Sequence, residues 1–285
     1  MTDSEAIKIG RVNRMQVVKD SSYGLFLDGY EHGEVLLPRR YVPSDIGPGD
    51  WLDVFVYADS EDRLVATTDT PKAMVGEVAY LRVAAVNDVG AFLDWGLPKD
   101  VLVPFAEQAD RMQEGYSYCV YLYEDRYKDR IVASSKLSKF LPEHSSAHRP
   151  GQAVTLLLCG KSDLGFKCLV DNTFLALLHH ADVFQPLTPG RTIDGYIKRI
   201  REDGRVDISL APPGGNKQGD LEELIVQYLQ EQGGSANISD KSPPDDIYKI
   251  FQTSKKNFKR AMSALYKSRK ILIEKNATRL VDDET

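Results

Sequence analysis

The sequence predicts a mainly β protein in which three similar barrel-forming repeats precede a domain that contains helices. The first observation is a set of turn residues whose intervals recur along the chain: Gly10, Gly24, Pro38 and Gly49 return as Gly76, Gly90, Pro104 and Gly115, and then as Gly151, Gly165, His179 and Gly190. The second is a shared ending of each repeat, at residues 63–67, 130–134 and 205–209. The third is a change of hydrophobic period from two to 3.6 after residue 219.

The repeat divides a chain of 285 residues into three units of similar size and a remainder. We expect barrels at residues 1–71, 72–141 and 150–212, and a final domain at residues 219–285, with residues 141–150 and 211–219 as linkers. No apolar run approaches the roughly 20 residues of a membrane helix, and the N-terminus does not resemble a signal peptide. Cys119, Cys159 and Cys168 have no CxxC spacing, which indicates buried thiols in a reduced, cytoplasmic setting.

The first repeat shows how each barrel is built. Residues 7–18, 23–27 and 34–38 read as three strands, and residues 51–57 alternate with a period of two. That alternation places Leu52, Val54 and Val56 on the buried face and Phe55 on the opposite face. Five short strands with a break after the third fit a small closed barrel of the OB type, with an SH3-like barrel as the alternative.

The final domain begins with an apolar helical stripe, which comprises Leu221, Leu224, Ile225, Tyr228 and Leu229. A second helix follows the start signal at residues 242–246, and Ser254 caps a third. Residues 271–274 and 278–281 read as a hairpin. Three helices and a hairpin in this order predict a winged helix, a variant of the helix-turn-helix.

Charge is distributed unevenly along the chain, whose net charge is −6. Residues 1–71 carry 7 basic and 13 acidic side chains, whereas residues 253–275 carry 8 basic side chains against Glu274 alone. Most of these bases fall opposite the apolar stripe of the third helix, which Phe258, Ala261, Met262 and Leu265 form. Such a face is suited to contact phosphates.

Catalytic and metal sites are not indicated. The chain has no nucleophile triad, Walker loop or zinc-protease motif, and the spacing of Cys159, Cys168, His179 and His180 matches no zinc pattern. His144 and His148 lie in a proline-bounded linker where a helical metal site is not expected. We therefore expect a binding protein that is not an enzyme and that uses neither a metal nor a cofactor.

Aromatic and basic side chains near strand ends are the candidate RNA-binding residues, because bases stack on aromatic rings and phosphates attract Lys and Arg. For each aromatic residue the alternative is a place in a barrel core or a barrel–barrel contact. The full set is Tyr23, Phe26, Phe92, Phe166, Lys167, His179, His180, Lys198, Arg199, Arg201, Arg205, Lys255, Lys256, Lys259, Arg260 and Lys267.

Two hairpins resemble the Phe-Gly-Ala-Phe signature of the S1 RNA-binding domain: Tyr23-Gly24-Leu25-Phe26 and Val89-Gly90-Ala91-Phe92. Leu177-Leu178-His179-His180 is similar to the third-strand histidine motif of that domain. Pro38 and Pro104 stand where the histidine is expected, and Val89 and Leu164 replace the first aromatic residue. Three such barrels followed by a winged helix resemble the conserved virulence factor B family of bacterial RNA-binding regulators.

This resemblance implies a cytoplasmic protein that binds RNA and regulates gene expression after transcription. The leading hypothesis is a monomer that binds single-stranded RNA, such as mRNA, mainly through the third barrel and the winged helix, with no role at a membrane. One alternative is a transcriptional regulator that binds duplex DNA through the winged helix. Another is a scaffold whose acidic barrels contact a protein or ribosomal partner.

Overall fold

A computed structural model describes residues 6–125, 130–183, 186–212, 218–251 and 253–281. The chain forms two compact units, Met1–Phe140 and Leu141–Thr285. The first contains two barrels, and the second contains a third barrel and a domain with three helices. This is the mainly β architecture that the sequence predicts. None of the described helices is long and apolar enough to cross a membrane.

Barrel 1 consists of β1 (Val12–Ser21), β2 (Gly24–Asp28), β3 (Glu34–Pro38), β4 (Trp51–Ala58) and β5 (Leu64–Thr67). The strands close in the order β1-β2-β3-β5-β4, and β3 and β5 pair in parallel. This closed five-stranded order is that of the predicted OB type. The first strand starts later than predicted, because Gly10 takes a φ of +77° in a turn in which Arg11 N donates to Lys8 O.

The predicted register of β4 is confirmed. Leu52, Val54 and Val56 are buried in the core of barrel 1. Phe55 points away from that core but is also buried, at 2% exposure, because barrel 2 covers it. The alternation of residues along β4 thus predicted which side chains share a face, but it did not predict that barrel 2 packs on the outer face.

Barrel 2 repeats this plan with β6 (Val78–Val86), β7 (Gly90–Asp94), β8 (Val101–Pro104), β9 (Ser117–Asp125) and β10 (Arg130–Ser134). Its contact with barrel 1 is an aromatic cluster. The Trp95 ring lies edge-on to Phe55 at 5.6 Å and to Tyr57 at 6.4 Å. Lys99 extends the contact, since its Nζ donates to Asp59 O at 2.6 Å. Phe55 and Tyr57 of barrel 1 thus join the core of barrel 2, whereas the interior of barrel 1 forms a separate core.

Barrel 3 contains β11 (Ala153–Lys161), β12 (Gly165–Val170), β13 (Phe174–His179), β14 (Thr192–Ile200) and β15 (Val206–Ser209). The order is again closed, β11-β12-β13-β15-β14. The predicted linker at residues 141–150 packs on this barrel. Pro142 O accepts a hydrogen bond from Leu175 N at 2.8 Å, and the His148 ring lies 4.9 Å from that of Phe174.

The final domain has the predicted winged-helix order: α1 (Gln218–Glu231), β16 (Ser235–Ala236), α2 (Pro244–Phe251), α3 (Lys255–Lys267), β17 (Ile271–Ile273) and β18 (Thr278–Leu280). Leu221, Ile225 and Leu229 form the buried side of α1. Leu224 was wrongly placed in this stripe, because it lies one position from Ile225 around the helix and is 41% exposed. Residues 213–217, within the predicted linker before this domain, lie outside the described residues.

Candidate nucleic-acid interface

Helix α3 presents one apolar side and one basic side. Ser254 caps its start, since the serine side chain accepts a hydrogen bond from Asn257 N at 3.0 Å. Phe258, Ala261, Met262 and Leu265 are buried in the core of the domain, as predicted. Because these four residues face inward, the intervening positions of the helix face the solvent.

The intervening positions are mostly cationic. We call Lys256, Lys259, Arg260 and Lys267, which are all exposed, the α3 basic face. None of the ion pairs found among the described residues involves any of these four side chains. Lys255 is half-buried, and its Nζ donates to the backbone oxygen of Lys241 at 3.2 Å. The basic face therefore carries positive charge that no described carboxylate neutralises.

Barrel 3 contains a different arrangement, in which cations surround a buried carboxylate. Asp207, on β15, is 1% exposed. Its Oδ2 accepts from Arg199 Nε at 2.5 Å, and its Oδ1 accepts from Arg201 Nε at 3.0 Å and Nη2 at 2.5 Å. His179 Nε2 lies 3.1 Å from Asp207 Oδ1 and 3.0 Å from Arg201 Nη2. We call these four residues the Asp207 cluster.

The electrostatics of this cluster follow from its geometry. Burial alone would raise the pKa of Asp207, but hydrogen bonds from Arg201, Arg199 and His179 outweigh burial and hold that pKa at about 2. The carboxylate is thus ionised at neutral pH and fixes both arginines. Arg199 and Arg201 are brought together as predicted, but part of their charge is already neutralised within the protein.

Asp207 is not among the residues predicted from the sequence, although the repeat contains the signal. Val65 and Val132 occupy the same place in the shared ending of the first two repeats. Val65 pairs with Leu36 across β3 and β5, and Asp207 pairs with Leu177 across the matching strands of barrel 3. A carboxylate at a position where the other copies bury valine would have marked the third barrel as chemically different.

Phe166 was wrongly included among the candidate RNA-binding residues. It immediately follows Gly165, and alternation along β12 turns its ring into the core of barrel 3, where it is 6% exposed. Lys167 takes the exposed position next to it. This face of barrel 3 therefore lacks the second-strand aromatic residue that Phe26 and Phe92 supply in the other barrels.

The remaining basic candidates of barrel 3 differ in whether their side chains already bind an acceptor within the protein. Lys198 Nζ donates to Asp182 Oδ2 at 2.6 Å, and His180 Nε2 donates to Ser162 O at 2.9 Å. Arg205 Nε lies 3.6 Å from Glu143 Oε2 and 3.8 Å from Asp203 Oδ2. The ammonium group of Lys167 has no ion-pair partner among the described residues, which leaves it as the most available cation among these candidates.

An open cavity of about 210 Å³ lies beside the Asp207 cluster. Leu164 and Leu177 supply apolar surface, and Lys167, Arg201 and Glu143 contribute charged groups. All of these residues belong to the second unit. The cavity was not predicted, because Glu143 comes from the segment that was interpreted as a linker.

The two candidate aromatic residues of barrel 1, Tyr23 and Phe26, differ in how exposed their rings are. Tyr23 is 75% exposed at the turn between β1 and β2, as its place beside Gly24 suggests. Phe26 is half-buried, and Lys19 Nζ lies 4.5 Å from the centre of its ring while also donating to Glu34 Oε2 at 2.5 Å. Tyr23 is thus the freer of the two rings for stacking.

Barrel 2 offers Phe92, which is half-buried on β7. A second ring on this barrel was not anticipated. The guanidinium carbon of Arg111 lies 3.6 Å from the centre of the Phe105 ring, a cation–π contact. Phe105 follows Pro104, at the strand end where barrel 3 has His180 after His179.

Metal-binding groups of three or more His, Cys, Asp or Glu side chains are absent from the part of the chain that the structure describes. Among the described residues, none of Cys119, Cys159 and Cys168 forms a disulfide bond. Cys168 lies in the core of barrel 3, and burial raises its pKa to about 12, so that it is a poor nucleophile and a poor metal ligand at neutral pH.

Comparison with protein families gives two matches. An S1 domain matches residues 9–69 and 75–136, which correspond to the first two barrels. A CvfB-like winged helix domain matches residues 223–280. Neither description names a catalytic activity. The two kinds of domain together support nucleic-acid binding.

Similar proteins span the whole chain. YitL of Bacillus subtilis is 28% identical over 283 residues, which cover 96% of this chain and 94% of that protein. Conserved virulence factor B of Staphylococcus saprophyticus is 25% identical and covers 96% of this chain and 95% of the relative. A Streptococcus pneumoniae crystal structure, described as a multidomain protein with nucleic acid binding domains, is 24% identical, with a TM-score of 0.44 and coverage of 96% and 98%. The chain therefore contains S1 domains and a CvfB-like winged helix domain, and over nearly its whole length it is similar to conserved virulence factor B.

Proposed function

We propose that this chain binds single-stranded RNA, mainly through barrel 3 and the winged helix, and that it regulates gene expression after transcription. In this proposal it acts as a cytoplasmic monomer and catalyses no reaction. The observation that carries the proposal is the α3 basic face, whose four exposed cations have no acidic partner among the described residues. A phosphate backbone supplies the negative charge that this face lacks.

The salt dependence of binding follows from the number of these contacts. Each phosphate that a protein neutralises on a single strand contributes about −0.7 to the slope of log K against log salt concentration. If each cation of the α3 basic face contacts one phosphate, this face alone contributes about −3 to that slope. Binding should therefore weaken strongly as salt is added.

Single-stranded RNA is favoured over a duplex because the barrels have features that suit unpaired bases. Tyr23 offers an exposed ring on which a base can stack, at roughly 1–3 kcal/mol per base. The cavity of barrel 3 is open to an unpaired base and not to a base within a helix stack. Small closed OB barrels commonly bind single strands in this way.

Duplex DNA binding is the second candidate, and one observation favours it. Helix α3 follows α2 in a helix-turn-helix arrangement, in which the second helix is the one that enters a major groove. The basic residues Lys256, Lys259 and Arg260 lie in the first half of α3, where such helices contact DNA.

A titration of the intact chain tests both candidates. Fluorescently labelled single-stranded RNA, single-stranded DNA and duplex DNA of equal length are compared at two salt concentrations. A truncated chain that ends after Phe140 serves as the control. It retains the whole first unit, including the Phe140 ring that stacks on Tyr121 at 4.7 Å.

We expect the intact chain to prefer RNA and to release it as salt rises, and the truncated chain to bind weakly. Tighter binding of duplex DNA would replace the RNA proposal with transcriptional regulation. Equal binding by the truncated chain would move the main site to the first unit. If none of the three nucleic acids binds, the proposed function is wrong and the scaffold hypothesis remains.

A further inference from the structure

The cavity of barrel 3 has a composition that favours one base over the others. We propose that it takes a guanine base of the bound strand, held along one edge by Glu143 and by the cations Lys167 and Arg201, which line the same cavity. This inference rests on the proposed RNA binding and adds a base preference to it.

The size and floor of the cavity suit a single planar ring system. Its volume of about 210 Å³ is below the roughly 300–1,000 Å³ of pockets for drug-sized ligands. Leu177 and the exposed Leu164 supply apolar surface against which the face of a base can pack. Because Phe166 is buried, this face offers no aromatic platform on β12, and recognition must come mainly from the edges of the base.

Glu143 supplies the acceptors. Its side chain is 38% exposed, and its nearest described charged partner is Arg205, whose Nε lies 3.6 Å from Oε2. That distance is beyond a hydrogen bond, and no described residue donates one to this carboxylate. Both oxygens are thus open to a ligand with two neighbouring N–H groups.

Lys167 and Arg201 supply the donors. The ammonium group of Lys167 has no ion-pair partner among the described residues, so it is free to reach a carbonyl oxygen. Arg201 is fixed, because its Nε and Nη2 donate to Asp207, which leaves Nη1 for a ligand. The Asp207 cluster therefore positions this guanidinium group at the wall of the cavity.

Guanine matches these groups better than the other bases. Its N1–H and N2 amino group are adjacent donors that one carboxylate can accept together, and its O6 is an acceptor for a cation on the same edge. Uracil has one N–H between two carbonyl groups, and adenine and cytosine each pair one amino group with a ring nitrogen that repels a carboxylate. A well-placed pair of hydrogen bonds discriminates between bases by roughly tenfold.

The test uses the full chain and short oligouridine strands that differ at one central position. Anisotropy titrations compare uridine, guanosine, adenosine, cytidine and inosine at that position. We expect guanosine to raise the affinity about tenfold over uridine. Inosine lacks the N2 amino group and should lose most of that gain without any change to the protein.

A protein variant provides the second measurement. Glu143→Gln should remove most of the guanosine preference, because an amide can accept from only one of the two N–H groups. Its affinity for the plain uridine strand should be equal or slightly higher, since one negative charge is lost. Glu202→Gln is the matched control: it makes the same charge change on an exposed residue of barrel 3 that does not line the cavity, and should keep the preference.

The outcomes separate this inference from the proposed function. If all strands bind equally well, or cytidine is preferred, the guanine site is wrong while RNA binding stands. If no strand binds at all, the proposed function itself fails. Free guanosine monophosphate in excess should not displace the strand, because the strand is also held at the α3 basic face, and full displacement would contradict RNA as the source of the base.

Discussion

Replacement of Asp207 by asparagine tests whether the ionised carboxylate of the Asp207 cluster stabilises barrel 3. The pKa of Asp207 falls from its ordinary value of 3.8 to about 2 in the folded protein. A shift of this size corresponds to at most roughly 2.5 kcal/mol of folding free energy. Because water reaches Arg199 and screens its charge, we expect a stabilisation of about 1–2 kcal/mol.

The sign of the pH dependence follows from the lowered pKa. The stabilisation is fully present above a pH of about 4, and it is lost as the pH falls towards 2, where the folded protein also takes up the proton. Asp207→Asn should remove about 1–2 kcal/mol at neutral pH and flatten this part of the pH profile. Asp207→Val, which places at this position the residue found at Val65 and Val132, is a matched variant whose stability should depend equally little on pH in this range.

The measurement is urea unfolding of the full chain, followed through the backbone amide signals of β13 and β15 in NMR spectra. These signals report on barrel 3, whereas both tryptophans, Trp51 and Trp95, lie in the first unit. If the asparagine variant shows the same loss of stability between pH 4 and pH 2 as the unchanged chain, the carboxylate is not the group that titrates.

Two further substitutions test the first unit. Trp95→Ala should cost about 3–5 kcal/mol in urea unfolding followed by circular dichroism, because the ring is 3% exposed between Phe55 and Tyr57. The control Trp51→Ala, at 47% exposure, should cost much less, and equal costs would contradict the packing of Trp95 between the two barrels. Tyr23→Ala should leave stability within about 0.5 kcal/mol and weaken RNA binding by roughly 1 kcal/mol in an anisotropy titration. Unchanged affinity would remove barrel 1 from the interface.

The architecture could be predicted because it depends on local patterns that repeat. Turn glycines at equal intervals set the strand ends, and alternation along β4 set its buried face at Val54 and Val56. The apolar stripe of α3 fixed which cations are exposed, so the α3 basic face follows from the sequence alone. These features need no knowledge of contacts between distant residues.

Other features depend on tertiary contacts or on a one-residue offset. Phe166 lies one position from the exposed site, and in a strand that offset reverses the face. Phe55 is buried only because Trp95 of the next barrel covers it. Arg199 and Arg201 looked like free cations because the sequence does not show that both reach Asp207.

The central claim is that the second unit binds RNA through the phosphates at α3. The most direct test is the salt dependence of RNA binding by the variant with Lys256, Lys259 and Arg260 all changed to glutamine. We expect a slope of log K against log salt concentration that is shallower by about 2. The control changes Lys8, Arg14 and Arg82, three exposed cations of the first unit, to glutamine and should leave the slope unchanged. An unchanged slope for the α3 variant, or an equal reduction for the control, would contradict the claim.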